Sequence, residues 1–199
     1  MSRKLTLDDI ADLRAYERER PTFRQDVIAL KKRRRVHLGP FVTVVFENRD
    51  TIRFQIQEMA RVERLMTDEA IEIELNTYNP LVPEPGQLAL TLFIELTSDA
   101  DLREWLPKLV GIEQAVQLRI GEGDDARTVA ASPEAAHAEA LTREEITSSV
   151  HYLLFHLDAG EIDALEQGPA ELVIDHPAYR HATPLGEETV AELLADLRP

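Results

Sequence analysis

Apolar residues recur at helical spacing from the start of the chain, with Leu7, Ile10 and Leu13 on one face and Thr6 with Asp9 in the form of a capping box. This predicts a helix over 7–18, ended by Pro21. Thr22 and Gln25 offer a second cap. Phe23, Val27 and Leu30 then predict a helix running into Lys31 to Arg35, where cations suit the negative end of the helix dipole. Beyond Gly39-Pro40 the period changes. FVTVVFE (41–47) and TIRFQIQ (51–57) are strand-like runs joined by Asn48-Arg49-Asp50, a hairpin signal, with Ile52, Phe54 and Ile56 on the buried face of the second run. Met59, Val62, Leu65 and Met66 return to helical spacing over 58–75 and place Glu58 and Arg61 on one face.

NTYNPLVPEPG (76–86) carries three prolines and reads as a loop, either a lid or a stiff connector. After it come a strand over 88–96, a helix over 99–109 with the single tryptophan, Trp105, and a strand over 115–120. GEGDD (121–125) reads as a turn into a strand at 127–131, and 130–140 as a loop or short exposed helix. A strand over 150–157, a helix opening at Asp158, a strand over 171–175 and a last helix opening at Pro184 complete the chain. The strand, helix, strand unit ending at Ile120 is echoed by the one ending near Ile174. The echo fits two similar units in one sheet, and equally a common arrangement met twice.

These elements predict an α+β fold: one domain over 1–199, with a mixed or mostly antiparallel sheet of about seven strands and packed helices. Residues 1–36 form a helical basic segment, 37–183 the sheet-containing core and 184–199 a C-terminal helix. Hydrophobic residues make up 44% of the chain and charged residues 30%, ordinary values for a chain that folds on its own. Cysteine is absent, so disulfides, cysteine nucleophiles and cysteine-ligated clusters on this chain are excluded. There is no apolar run of the roughly 18 residues a membrane span needs and no secretory leader pattern, so the expected location is the cytoplasm.

The net charge of -15 is unevenly spread. Residues 1–64 hold 15 of the 22 Lys and Arg but 10 of the 37 Asp and Glu, a balance of +5, which leaves -20 on residues 65–199. The run Lys31, Lys32, Arg33, Arg34 and Arg35 is therefore a candidate docking patch for an acidic partner, or for the protein's own acidic face. The acidic bulk and the lack of interleaved aromatic residues argue against nucleic acid.

Four of the six histidines fall between Ser148 and His181. Strand alternation sends His151 and His156 to opposite faces. Pro177 holds His176 extended at a strand exit, five residues before His181. The candidate metal site is His176 and His181 with Asp175 or Glu58 and one of His151 or His156, nitrogen and oxygen donors suited to Fe, Mn or Zn. In the bland reading Asp175 and Arg180 brace the loop and its histidines are polar surface. Glu134-x-x-His137 has the spacing of a di-iron motif, but such sites need a second copy.

LKKRRRVHLGP, TIRFQIQEMARVERL, NTYNPLVP, SSVHYLLFHLD and DHPAYRH occur in that order, and the chain resembles domain-of-unknown-function family 3501 from Leu5 to about Leu197. The matching segments include Arg35, His37, Gln55, Gln57, Glu58, His151, His176, Tyr179 and His181. The resemblance carries no established activity. It implies a redox or oxidative-stress setting, since genes of this family are thought to lie beside those for rubrerythrin-like and iron-sulfur proteins.

Two function classes follow. One is a non-catalytic accessory or interaction partner of an iron-sulfur or rubrerythrin-type redox protein. The other is a metal-dependent enzyme in which the histidines activate water or dioxygen, with Glu58 as ligand or general base.

Overall fold

In the computed structural model, which describes residues 3–123, 126–135 and 146–198, the chain is α+β, with six α-helices and nine strands among those residues. The segment expected as a hairpin divides between a strand and a helix, and Asn48 is the cause. Its side chain accepts from the N–H groups of Asp50 and Thr51, and the Thr51 hydroxyl accepts from the Asn48 N–H, a reciprocal cap that starts a helix over Arg49–Glu63 (α2). Ile52 and Ile56 alternate with polar residues, yet they are also four apart. With Ala60 they form the buried helical face, while Phe54 turns aside to meet Phe23.

Pro21 does not end the first helix, which runs as a single element over Leu13–Arg33 (α1). Proline removes one hydrogen bond. Against that loss stand three side chains anchored on α2: Tyr16 and Arg20 bond to Glu58, and Phe23 packs edge-on against Phe54 with ring centroids 5.7 Å apart. A third helix, Asp68–Tyr78 (α3), is capped by the Thr67 hydroxyl, and it occupies the start of the expected loop. The rest is a short 3-10 turn over Asn79–Leu81 whose Leu81 and the following Val82 are buried, so the segment is a connector.

Strands β1 (Arg35–Leu38), β2 (Val42–Glu47), β3 (Gln87–Ile94), β6 (Ser132–Pro133) and β7 (Val150–His156) form an antiparallel sheet in the order β1-β2-β3-β7-β6. A second antiparallel sheet has the order β5-β4-β8-β9, from β4 (Val116–Ile120), β5 (Arg127–Ala130), β8 (Ala170–His176) and β9 (Tyr179–Pro184). The single sheet of about seven strands is thus two sheets. The echoed units β3-α4-β4 and β7-α5-β8, with α4 over Asp99–Lys108 and α5 over Ala159–Gln167, each cross from one sheet to the other. Their first strands pair in the first sheet and their second strands in the second. The C-terminal helix is Glu187–Leu197 (α6), shorter than expected because 179–184 extends as β9.

The two sheets share one core. Val44, Phe46, Leu90 and Phe155 belong to the same buried cluster as Leu118, Leu172 and Ile174, with Trp105, Ile162 and Leu193 from α4, α5 and α6 joining it. A second cluster, Ile52, Ile56, Leu75, Leu81 and Leu5, packs the N-terminal helices near Tyr152 of β7, on the opposite face of the first sheet. Two side-chain amides fasten the N-terminal stretch to this helical layer: Asn79 exchanges hydrogen bonds with the Leu5 backbone, and fully buried Gln57 does so with Ala11. Each removes two backbone groups from the unsatisfied count.

Candidate functional site

Residues Asp175 to His181 form a tight hairpin. Asp175 pairs with Arg180 across β8 and β9, His176 with Tyr179, and Ile174 with His181. Asp175 and Arg180 point outward as an exposed ion pair at 2.9 Å. His176, Tyr179 and His181 share the other face. Both ring nitrogens of His176 are occupied, Nε2 3.1 Å from the Val110 carbonyl and Nδ1 accepting from the Ala178 N–H at 3.3 Å, so the ring braces the hairpin against the turn that follows α4. Tyr179 stands between the two histidines. Its hydroxyl donates to the Leu38 carbonyl at 2.5 Å, tying the second sheet to the β1–β2 turn. Trp105, Phe41, Tyr179 and His181 form a continuous aromatic line, with successive centroids 4.8, 4.7 and 4.5 Å apart.

The other candidate ligands lie elsewhere. His151, 3% exposed, has Nε2 2.9 Å from both the Ser148 carbonyl and the Thr147 hydroxyl. Burial pushes its pKa below the usual imidazole value, with the nearby Glu113 charge opposing that shift. Glu58 is on α2, outside the hairpin's sheet, and is fully engaged. Arg20 makes a two-pronged bond to it at 2.7 and 2.9 Å, the Tyr16 hydroxyl donates at 2.7 Å and Arg61 approaches at 3.3 Å. Among the described residues no three His, Asp or Glu side chains group as a metal ion would require. The set His176, His181, Asp175, Glu58 and His151 does not converge, and as placed it does not fit a metal. His137, of the Glu134-x-x-His137 motif, lies outside the described residues.

The Arg20 hydrogen bonds, foremost, hold the Glu58 carboxyl well down, to about 2. Its pKa in the folded state is therefore below the unfolded value. The stability it contributes is present above about pH 4.5 and is lost as the pH falls through about 2. Glu58→Gln is expected to cost roughly 1 to 2 kcal/mol at pH 7, for a partly exposed charged hydrogen-bond set. The gap to the wild type should close between pH 4.5 and 2, as measured by urea unfolding across that range.

Four of the five cations of the basic run lie within 4 Å of the protein's own carboxylates, and Arg34 among them is buried. Arg33 bonds Glu192 at 2.7 Å, and Lys31 and Arg35 lie 3.9 and 3.8 Å from Glu47 and Glu95. Arg34 is 1% exposed, gripping Glu192 and Asp196 of α6. Lys32 is exposed. These contacts are all with the protein's own acidic groups, and buried Arg34 is out of a partner's reach.

A surface that sequence reasoning passed over lies where α2 meets α3. A groove of about 390 Å³ is lined by Leu7, Ile10, Leu13, Leu65, Met66 and Ile71, with Asp12, Arg14 and Asp68 among its charges. Met66 is 83% exposed and Val62 66%. The helical spacing of Val62, Leu65 and Met66 pointed to a buried face. The Thr67-Asp68 cap signal shows instead that the helix breaks there, leaving Met66 at a corner.

The family model described as "Protein of unknown function (DUF3501)" matches residues 4–197. The chain belongs to this family. No curated protein matches it. It is similar to a crystal structure described as a novel protein of unknown function from Burkholderia pseudomallei, 37% identical, with a TM-score of 0.88 over 98% of this chain and 99% of that one. The family match spans the helical layer and both sheets, so membership concerns the whole fold and singles out no motif as the site.

Proposed function

We propose that this member of the family is a non-catalytic, cytoplasmic accessory protein that docks onto an iron-sulfur or rubrerythrin-type redox partner. The observation that carries the docking reading is the apolar groove at the α2–α3 corner, with Met66 of its lining standing out into solvent. Exposed apolar side chains grouped around a concave surface are a usual mark of a protein contact. The net charge of -15 opposes a second copy of the same chain as occupant and favours a partner segment with an apolar anchor flanked by Lys or Arg. The redox character of that partner rests on the family resemblance. The alternative, an enzyme using Fe, Mn or Zn, has less support, because Glu58 and His176 spend their donor atoms on Arg20, Tyr16, Val110 and Ala178.

The test is co-purification with the iron-sulfur or rubrerythrin-type partner at low salt, where long-range attraction is strongest. Met66→Glu is expected to weaken the complex about tenfold or more, the loss of one well-packed apolar anchor plus an unwanted charge. Absence of a complex at low salt, or equal binding by the variant, would overturn the proposal.

A further inference from the structure

The helical layer does not lie flat on the first sheet; between them is a chamber of about 170 Å³. Its floor includes Glu47 of β2, Thr91 of β3 and Tyr152 of β7, and its roof includes Lys31 of α1 and Gln55 of α2. The Glu47 side chain is 6% exposed and half satisfied. Oε1 accepts from the Thr91 hydroxyl at 2.8 Å, while Oε2 is buried with no hydrogen-bond donor from the described residues. A buried carboxylate oxygen left without a hydrogen bond is costly. The Lys31 ammonium is 3.9 Å from Oε2, too far for a hydrogen bond.

That spacing selects a ligand chemistry. One oxygen atom placed at about 2.7 to 2.8 Å from both Lys31 Nζ and Glu47 Oε2 closes the gap, provided it can accept from the first and donate to the second. A hydroxyl does both. A carboxylate or phosphate would meet the Glu47 charge, and an amine would meet Lys31, so the pair favours a neutral molecule. Ile52 and Phe93 offer apolar wall, and a cavity of about 150 Å³ holds a six-membered ring. We propose that the chamber binds a small neutral cyclic alcohol, its hydroxyl bridging Lys31 and Glu47 and its ring against Ile52 and Phe93.

Three probes with the same ring separate the possibilities: cyclohexanol, cyclohexylamine and cyclohexanecarboxylate, titrated into the full chain and followed by saturation-transfer NMR. Cyclohexanol is expected to bind in the millimolar range, and the two charged probes at least about tenfold more weakly. Val150→Phe fills the chamber without touching the Glu47–Thr91 bond and should abolish binding. Glu47→Gln, which turns the accepting oxygen into a donor, should weaken it about tenfold, and it serves alone if the filled variant does not fold. No binding of cyclohexanol, equal binding of all three probes, or wild-type binding by both variants would overturn the proposal. So would a crystal structure soaked in cyclohexanol that shows only water between Lys31 and Glu47. None of these readouts involves the α2–α3 groove, so failure here and failure of the docking proposal are distinguishable.

Discussion

Replacing Arg34 with alanine is expected to destabilise the protein by about 3 to 5 kcal/mol at pH 7, the usual cost of removing one partner from a buried ion pair. Arg34 is 1% exposed and donates to both carboxylates of α6 that face it, Asp196 at 2.6 and 3.1 Å and Glu192 at 3.0 and 3.1 Å. Taking away the guanidinium leaves Asp196, itself 9% exposed, as an unpaired charge between α1 and α6. Burial already pushes the Asp196 carboxyl above the usual range even with Arg34 beside it, and without Arg34 the shift grows. An acid whose folded pKa is raised favours the fold below its unfolded value and loses that contribution as the pH rises through the folded one. The deficit of Arg34→Ala should therefore shrink as the pH falls from 7 toward 4. Arg34→Met with Asp196→Leu should recover most of the loss, because an apolar pair of similar volume carries no desolvation cost. Guanidinium chloride unfolding of the three proteins at two pH values checks this. A deficit below about 1 kcal/mol, or one that grows in acid, would show that the contact contributes little.

Arg34 also marks how far the sequence could be read. Five consecutive cations were visible, as was the excess of acid in the rest of the chain, and both readings of the run followed from charge alone. That Arg34 is buried between α1 and α6 depends on residues about 160 positions away in sequence, which no local pattern reports. The strands over 88–96, 115–120, 150–157 and 171–175 were legible, because fully apolar or alternating runs of that length have few other homes. Thr51 to Gln57 was not, because Ile52 and Ile56 satisfy a period of two and a spacing of four equally well; only the Asn48 cap decides. That one misreading hid the roof of the Glu47 chamber, since Gln55 as a strand residue would have had no sheet face to look onto. The histidines were legible as a group in sequence. Their separation in space was not, because Glu58 lies over one sheet and the hairpin lies in the other.

At Gly39 the same hairpin gives the second large effect. Gly39 has φ +71°, the left-handed region that costs other residues about 1 kcal/mol or more. A Cβ there would lie 2.5 Å from His181 Cδ2 and 2.6 Å from both His181 Nε2 and the Tyr179 hydroxyl. The half-buried His181 ring has room to swing outward. Tyr179 does not, because its hydroxyl is held by the Leu38 carbonyl and its ring lies between Phe41 and His181. Gly39→Ala is accordingly expected to cost about 2 to 4 kcal/mol, backbone strain plus an overpacked contact. Trp105, the single tryptophan, is 4.8 Å from Phe41 in the same aromatic line, so its fluorescence should report the disturbance before global unfolding. The double variant Gly39→Ala with Tyr179→Phe separates the two contributions. Removing the hydroxyl relieves the collision but forfeits its bond to Leu38, so the double should be less stable than Tyr179→Phe by only the backbone strain, about 1 to 2 kcal/mol. If the two substitutions simply add, the hydroxyl is not what fixes Gly39, and the hairpin is held to the β1–β2 turn by ring packing alone.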